Sequence, residues 1–309
     1  LYLPSVGVGL IWANAITAAW NRTHLRWLSG SALVAMLVFG VSVIRDNLRL
    51  YETSLPPLSD LARSAAGRPD DHLLVVNLPG WLSWPDLYYV MGHEGAMLMA
   101  LETSSHELVR YNAPRAAKVD SVSFSNVMEE TPYYVGLYGE TLDWNGLAKA
   151  IRAVDDVYLT HYESTQATLE HVGRVTLGTQ SDYFANFDHR VWLTAAETSL
   201  LGDVIQAQLH WQLVRKTEDY EIFVHALDCD GTVLGLKDGA ALGRMYPPWQ
   251  WKPGETIVDV RHIELESSED GRCFRLEVGL FNTATGARMP VVNSQGIAFV
   301  NHLVPVYPD

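Results

Sequence analysis

The longest apolar stretch of the chain runs from Trp27 to Ile44, WLSGSALVAMLVFGVSVI, uncharged between Arg26 and Arg45. Its 18 residues would rise about 27 Å as a helix, close to the hydrocarbon thickness of a bilayer. A helix that is apolar all round must be buried in something, and this length suits lipid. Leu1–Asn21 is a second uncharged run, less apolar, in which Trp12 and Trp20 could sit at a membrane interface. Together the runs predict two antiparallel transmembrane helices over residues 1–50, joined by a short loop.

Residues 51–69 read as a connector punctuated by Pro56, Pro57, Gly67 and Pro69, with at most a helical turn or two at Leu58–Ala66. His72–Leu78 is a continuous apolar run stopped by Pro79-Gly80, the pattern of a buried strand. Leu87, Val90, Met91, Glu94, Met97, Leu98 and Leu101 recur at helical spacing. Val119–Phe124, Tyr133–Tyr138 and Val157–Tyr162 read as strands, and Asp143 as the N-cap of a helix that places Leu147, Ile151 and Val154 on one face. The alternation predicts a small mixed α/β unit over residues 70–162.

From Glu163 the period shortens to two. Leu209, Trp211 and Leu213 alternate with Gln208, His210 and Gln212, and Phe274, Leu276, Val278 and Leu280 with Arg275 and Glu277. Tyr220–Leu227 runs into the turn Asp228-Cys229-Asp230-Gly231, Ile257–Leu265 follows, and Gly296–Val304 closes the series. Short strands separated by turn signals predict an antiparallel β-sandwich, jelly-roll or immunoglobulin-like, over residues 163–309.

Charge narrows the partners. The chain carries −14 overall, while its first 50 residues hold four arginines and one aspartate, so the remainder is strongly acidic. That argues against nucleic acid and against anionic lipid as partners of the soluble part. Arginines flank the Trp27–Ile44 run on both sides, so charge does not orient it. Cys229 and Cys273 are too few for a disulfide framework or a zinc site but could form one bridge.

Candidate chemistry is sparse. Gly92-His93-Glu94-Gly95 lacks the second histidine of a zinc-protease helix. Glu129-Glu130 and Asp155-Asp156 read as solvated pairs. Asp228 and Asp230 begin like a calcium loop, but Gly239 stands where the twelfth-position glutamate belongs. No metal site and no cofactor motif is expected. The segment Lys237–Asp259 is the most distinctive, with Asp238, Tyr246, Trp249 and Trp251 close together. One reading is a sugar-binding platform of Asp238, Tyr246 and Trp249, with ring faces stacking on a sugar. The other is a lid over the end of the sandwich core. The turn at Pro253-Gly254-Glu255 should draw Trp251 inward and leave Trp249 the more exposed.

Leu1-Tyr2-Leu3-Pro4-Ser5 resembles a stretch in late spans of multispanning membrane glycosyltransferases of the protein O-mannosyltransferase-like and aminoarabinose-transferase-like group. The run Asp219–His225, then Asp238, Tyr246-Pro247, Trp251-x-Pro253-Gly254-Glu255, Asp259, Val278–Phe281 and Thr285-Gly286-x-Arg288, is similar to a β-sandwich appended to bacterial members. The resemblance implies the last two spans and accessory region of an enzyme that uses lipid-linked sugars. The soluble part would lie outside the cytoplasm, with the bilayer and a glycan or lipid-linked sugar as partners. The group's catalytic acids lie in an early loop that this sequence does not contain, so no residue here inherits a catalytic role. The alternative is a non-enzymatic membrane-anchored protein whose sandwich binds a glycan or a protein.

Overall fold

The computed structural model describes residues 2–22, 25–83, 96–97, 104–163, 166–178, 182–217, 220–265 and 273–308. They form two compact units, residues 1–52 and 53–309. In the first unit, α1 (Tyr2–Trp20) is followed by the start of α2 (Arg26–Ala65). Leu28, Val34, Leu37, Val38, Phe39, Val41 and Ile44 of α2 are all more than half exposed. Of the two expected spans, only α2 is long and apolar enough to cross a membrane among the described residues.

The expected connector is instead helix, since α2 continues through Pro56 and Pro57 to Ala65. Each proline removes one helical hydrogen bond but holds φ near its helical value. Leu61 and Ala65, fully buried with Leu73 and Val75, supply the packing that outweighs the loss.

The second unit is mostly β-sheet. Its strands are β1 (His72–Val76), β2 (Pro79–Ser83), β3 (Ala96–Met97), β4 (Lys118–Ser123), β5 (Tyr134–Leu137), β6 (Glu140–Thr141), β7 (Asp156–Tyr162), β8 (Ala167–Leu177) and β9 (Ala185–Phe187). They continue as β10 (Val191–Leu201), β11 (Val204–Leu213), β12 (Tyr220–Asp228), β13 (Val233–Leu236), β14 (Glu255–Glu264), β15 (Phe274–Asn282), β16 (Val291–Asn293) and β17 (Val304–Val306). Helix α3 (Ser105–Asn112) precedes β4, and α4 (Trp144–Ile151), capped by the Asp143 side chain on Gly146 N–H, precedes β7.

A single ten-stranded sheet runs β16-β9-β10-β11-β14-β8-β7-β1-β4-β6. Its β7-β1-β4-β6 end is parallel, and from β7 onward every pairing is antiparallel. The boundary expected near residue 162 therefore falls on the β7–β8 hairpin, inside a continuous sheet. Strand β1 is buried on both faces. Leu73 and Val75 meet α2 and α3, and Leu74 and Val76 meet the α4 side. Over the antiparallel end lies a second sheet, β13-β12-β15-β17, and one core containing Leu209, Trp211, Ile222, Val224, Ile257 and Leu276 joins the two. At Gly173, φ is 120° and an added Cβ would overlap the Val258 carbonyl oxygen, so only glycine lets β8 pass between β7 and β14 there.

Three further expectations change. Ala96–Met97, expected on a helix, pairs with Trp81 and Leu82 as a strand, and the rest of that expected helix up to Met91, Glu94, Leu98 and Leu101 lies outside the described residues, as does Gly92–Gly95. Gly296–Val304 is not a strand: Asn301 and His302 adopt positive φ, and the final strand is only Val304–Val306. Asp156 is not solvated but 4% exposed, within a cluster of cations. Cys229 and Cys273 are disulfide-bonded, their Cα atoms 5.6 Å apart, tying the ends of β12 and β15.

The bond closes a chain separation of 44 residues, for which loop entropy gives about 4 kcal/mol. Cys229→Ser/Cys273→Ser is expected to lower the melting temperature by on the order of 10 °C in calorimetry, and reductant should do the same to the native chain alone. Trp251, 4% exposed against Trp211, should cost about 3–5 kcal/mol when truncated to Ala. Trp249→Ala should cost about 1 kcal/mol or less, measured by chemical denaturation.

Candidate functional site

The parallel end of the sheet has a point where its connections diverge. From β1 the chain reaches β4 with α3 on one face; from β6 it returns to β7, on the other side of β1, with α4 on the opposite face. In open α/β sheets such a divergence leaves a crevice at the carboxyl ends of the strands. Asn77, directly after β1 and with φ 62°, staples those ends together. Its Oδ1 accepts from Phe124 N–H at 2.7 Å, its Nδ2 donates to the Phe124 carbonyl at 3.0 Å, and its own carbonyl accepts from Tyr162 Oη–H at 2.7 Å.

Beside Tyr162 opens a cleft of about 780 Å³. His161 and Tyr162 reach it from β7, Glu163 and Gln166 from the hairpin, and Thr168 and Glu170 from β8. Lys237 beside β13, His262 and Glu264 from β14, and Glu129 from the loop after β4 complete the lining. The parallel strands, the antiparallel strands and the second sheet thus each supply part of the wall.

Glu170 forms its floor, with a side chain only 14% exposed. His262 Nδ1 donates to Oε1 at 2.9 Å. His161 Nε2 stands 2.6 Å from Oε2. Burial alone would raise the Glu170 carboxyl, but His161, His262 and the charge of Lys237 overcome it and hold the group well below the usual carboxylate range. The floor is an ionised carboxylate gripped from two strands, while Glu163, Glu264, Gln166 and Lys237 stand around it as acceptors and donors.

A second cluster sits beside it. Asp156 meets Arg68, His171 Nε2 at 3.0 Å and Arg174 at 3.6 Å, and Arg68 also bonds Asp71 at 2.6 Å. Burial would raise Asp156, and the hydrogen bonds from His171 and Arg68 lower it instead. This cluster ties the segment after α2 to β7 and β8, and every charge in it has a partner.

The three platform residues are placed differently from one another. Tyr246 is fully buried, donates to Glu255 Oε2 at 2.7 Å and has Arg152 over its ring. Asp238 accepts from Val224 N–H and bonds His225, both at 3.2 Å. Trp249 is 42% exposed and packs edge-on to Trp144 at 5.8 Å. Trp251 Nε1 donates to the Tyr246 carbonyl, so the segment caps the core, with Trp249 at its margin. Asp228 spends Oδ1 on the N–H groups of Asp230 and Thr232, as a turn aspartate does. No group of His, Cys, Asp and Glu side chains is arranged to hold a metal ion among the described residues.

Comparison with known proteins gives no relative. No family model and no curated protein matches the chain. Among solved structures, a β-glucuronidase from Ruminococcus gnavus in complex with D-glucuronic acid aligns over 37% of this chain and 15% of its own, at 11% identity and a TM-score of 0.18. A calcium-binding mutant of Bacteroides uniformis β-glucuronidase 2 aligns over 43% and 15%, at 16% identity and 0.23. The chain spans less than a fifth of either protein, and similarity this slight carries no argument.

Sequence reading did not single out His161, Glu170 and His262. His161 and Glu170 meet across the β7–β8 hairpin, but their meeting with His262 depends on where β14, distant in sequence, lies alongside. Because the Glu170 carboxyl is lowered in the folded state, its stabilisation is complete above the ordinary glutamate value and lost as pH falls towards the folded one. Glu170→Gln should therefore cost about 1–3 kcal/mol near neutrality and flatten the acid limb of a stability-against-pH curve measured by urea denaturation.

Proposed function

We propose that this chain is the membrane-anchoring and extracytoplasmic accessory region of a membrane glycosyltransferase that uses lipid-linked sugars, and that its cleft holds a sugar. The cleft carries this reading. It is large enough for several sugar rings, lies at the carboxyl ends of parallel strands, and offers hydroxyl-binding groups of both polarities around a fixed carboxylate. A floor already locked by two histidines loses little side-chain entropy when a ligand binds. The exposed apolar length of α2 supports membrane anchoring, and the Cys229–Cys273 bond suits the oxidising side of a membrane. On this reading the soluble part is a sandwich-like exported region, and the transfer chemistry belongs to residues outside this sequence.

A membrane-anchored binding protein with no enzymatic partner would use the same cleft. Co-purification with membrane spans that bear a glycosyltransferase activity favours the first reading; a chain that works as the sole anchored subunit favours the second.

The cleft is tested by saturation-transfer NMR on the detergent-solubilised chain with neutral and acidic oligosaccharides. Glu264→Gln and Gln166→Ala, both at its rim, should each weaken a bound sugar by about tenfold with an unchanged melting temperature. Sugar signals that persist undiminished in both variants would place binding elsewhere.

A further inference from the structure

The first unit carries charged groups that the cleft does not involve. Arg45 and Arg49 follow the apolar run of α2 immediately, one helical turn apart and about 6 Å along the axis. Both are exposed, and neither has a side-chain partner among the described residues. With Val41, Ile44, Leu48 and Glu52 they line a groove of about 520 Å³ along one face of the helix. At the other end of the run Arg26 Nε donates to the Trp20 carbonyl at 3.1 Å, and Arg22 is exposed.

We infer that Arg45 and Arg49 form a seat for the phosphate of an anionic membrane phospholipid, with its acyl chain along Val41, Ile44 and Leu48. This rests on α2 crossing the membrane. A run of about 27 Å between Arg26 and Arg45 places the next turns at headgroup depth. Guanidinium forks match phosphate oxygens two at a time, and apolar side chains below the arginines continue into the hydrocarbon. Glu52 lines the groove about one turn beyond Arg49, on the side away from the apolar run. Asp46, beside Arg45 in sequence, has an interaction of its own and lies outside the groove lining.

The test uses the full chain in phosphatidylcholine nanodiscs containing a minority of spin-labelled phosphatidylglycerol. The motionally restricted fraction should exceed that of spin-labelled phosphatidylcholine by about fivefold, and Arg45→Gln/Arg49→Gln should bring the ratio close to one with an unchanged circular dichroism spectrum. Equal selectivity in native chain and variant overturns the inference, as does full release of the restricted lipid by inorganic phosphate, which would make the seat a site for free anions. Carbonate washing separates the two readings. A chain retained in membranes without lipid selectivity defeats only the phospholipid seat, whereas a chain washed off defeats the membrane anchor and the seat together.

Discussion

The ten-stranded sheet is what the second unit depends on, and its critical step is the β7–β8 hairpin. There a parallel sheet that must be covered on both faces becomes an antiparallel one. Coverage follows from that change. Helices α2, α3 and α4 shield β1, β4 and β7, while the second sheet shields the inner face of β11 and β14. The register shift at Val157/Tyr158, with Gly173 opposite, lets the two halves share one ladder of backbone hydrogen bonds. A larger residue at Gly173 would force β8 away from β14 at the place where the halves meet.

The cleft is a by-product of the same joint. The parallel half contributes the carboxyl ends of its strands, the hairpin contributes a rim, and β14 and β13 contribute a wall, so the cleft requires all three. His161, Glu170 and His262 come from three neighbouring strands, and their pairing turns a buried carboxylate, costly when unpaired, into a fixed acceptor. The Asp156 cluster, next to it, uses the same device to bind the segment after α2 to the sheet.

Helix α2 obeys a different constraint. Leu37, Val38 and Phe39 expose apolar surface that is favoured away from water, and the length and composition of this run make α2 a candidate membrane span among the described residues. The second unit, by contrast, is held by burial of Trp211, Leu209 and Ile257, by the buried Asp259–Arg261 pair and by one disulfide.

Features that depend on near neighbours were legible in the chain itself. The long apolar helix at the start of α2, the capped helix after Asp143, the alternation of Leu209, Trp211 and Leu213, and the inward turn of Trp251 follow from periodicity, capping and turn chemistry, which act over a few residues. The helical continuation through Pro56-Pro57 was decided by tertiary packing of Leu61 and Ala65, which outweighs the local penalty. The merging of two expected domains into one sheet, the burial of Tyr246 and Asp156, and the convergence of His161, Glu170 and His262 were likewise decided by the tertiary structure. Strand order and register are long-range quantities: shifting one strand by a single residue sends each of its side chains to the other face, and no local pattern encodes which distant strand lies alongside.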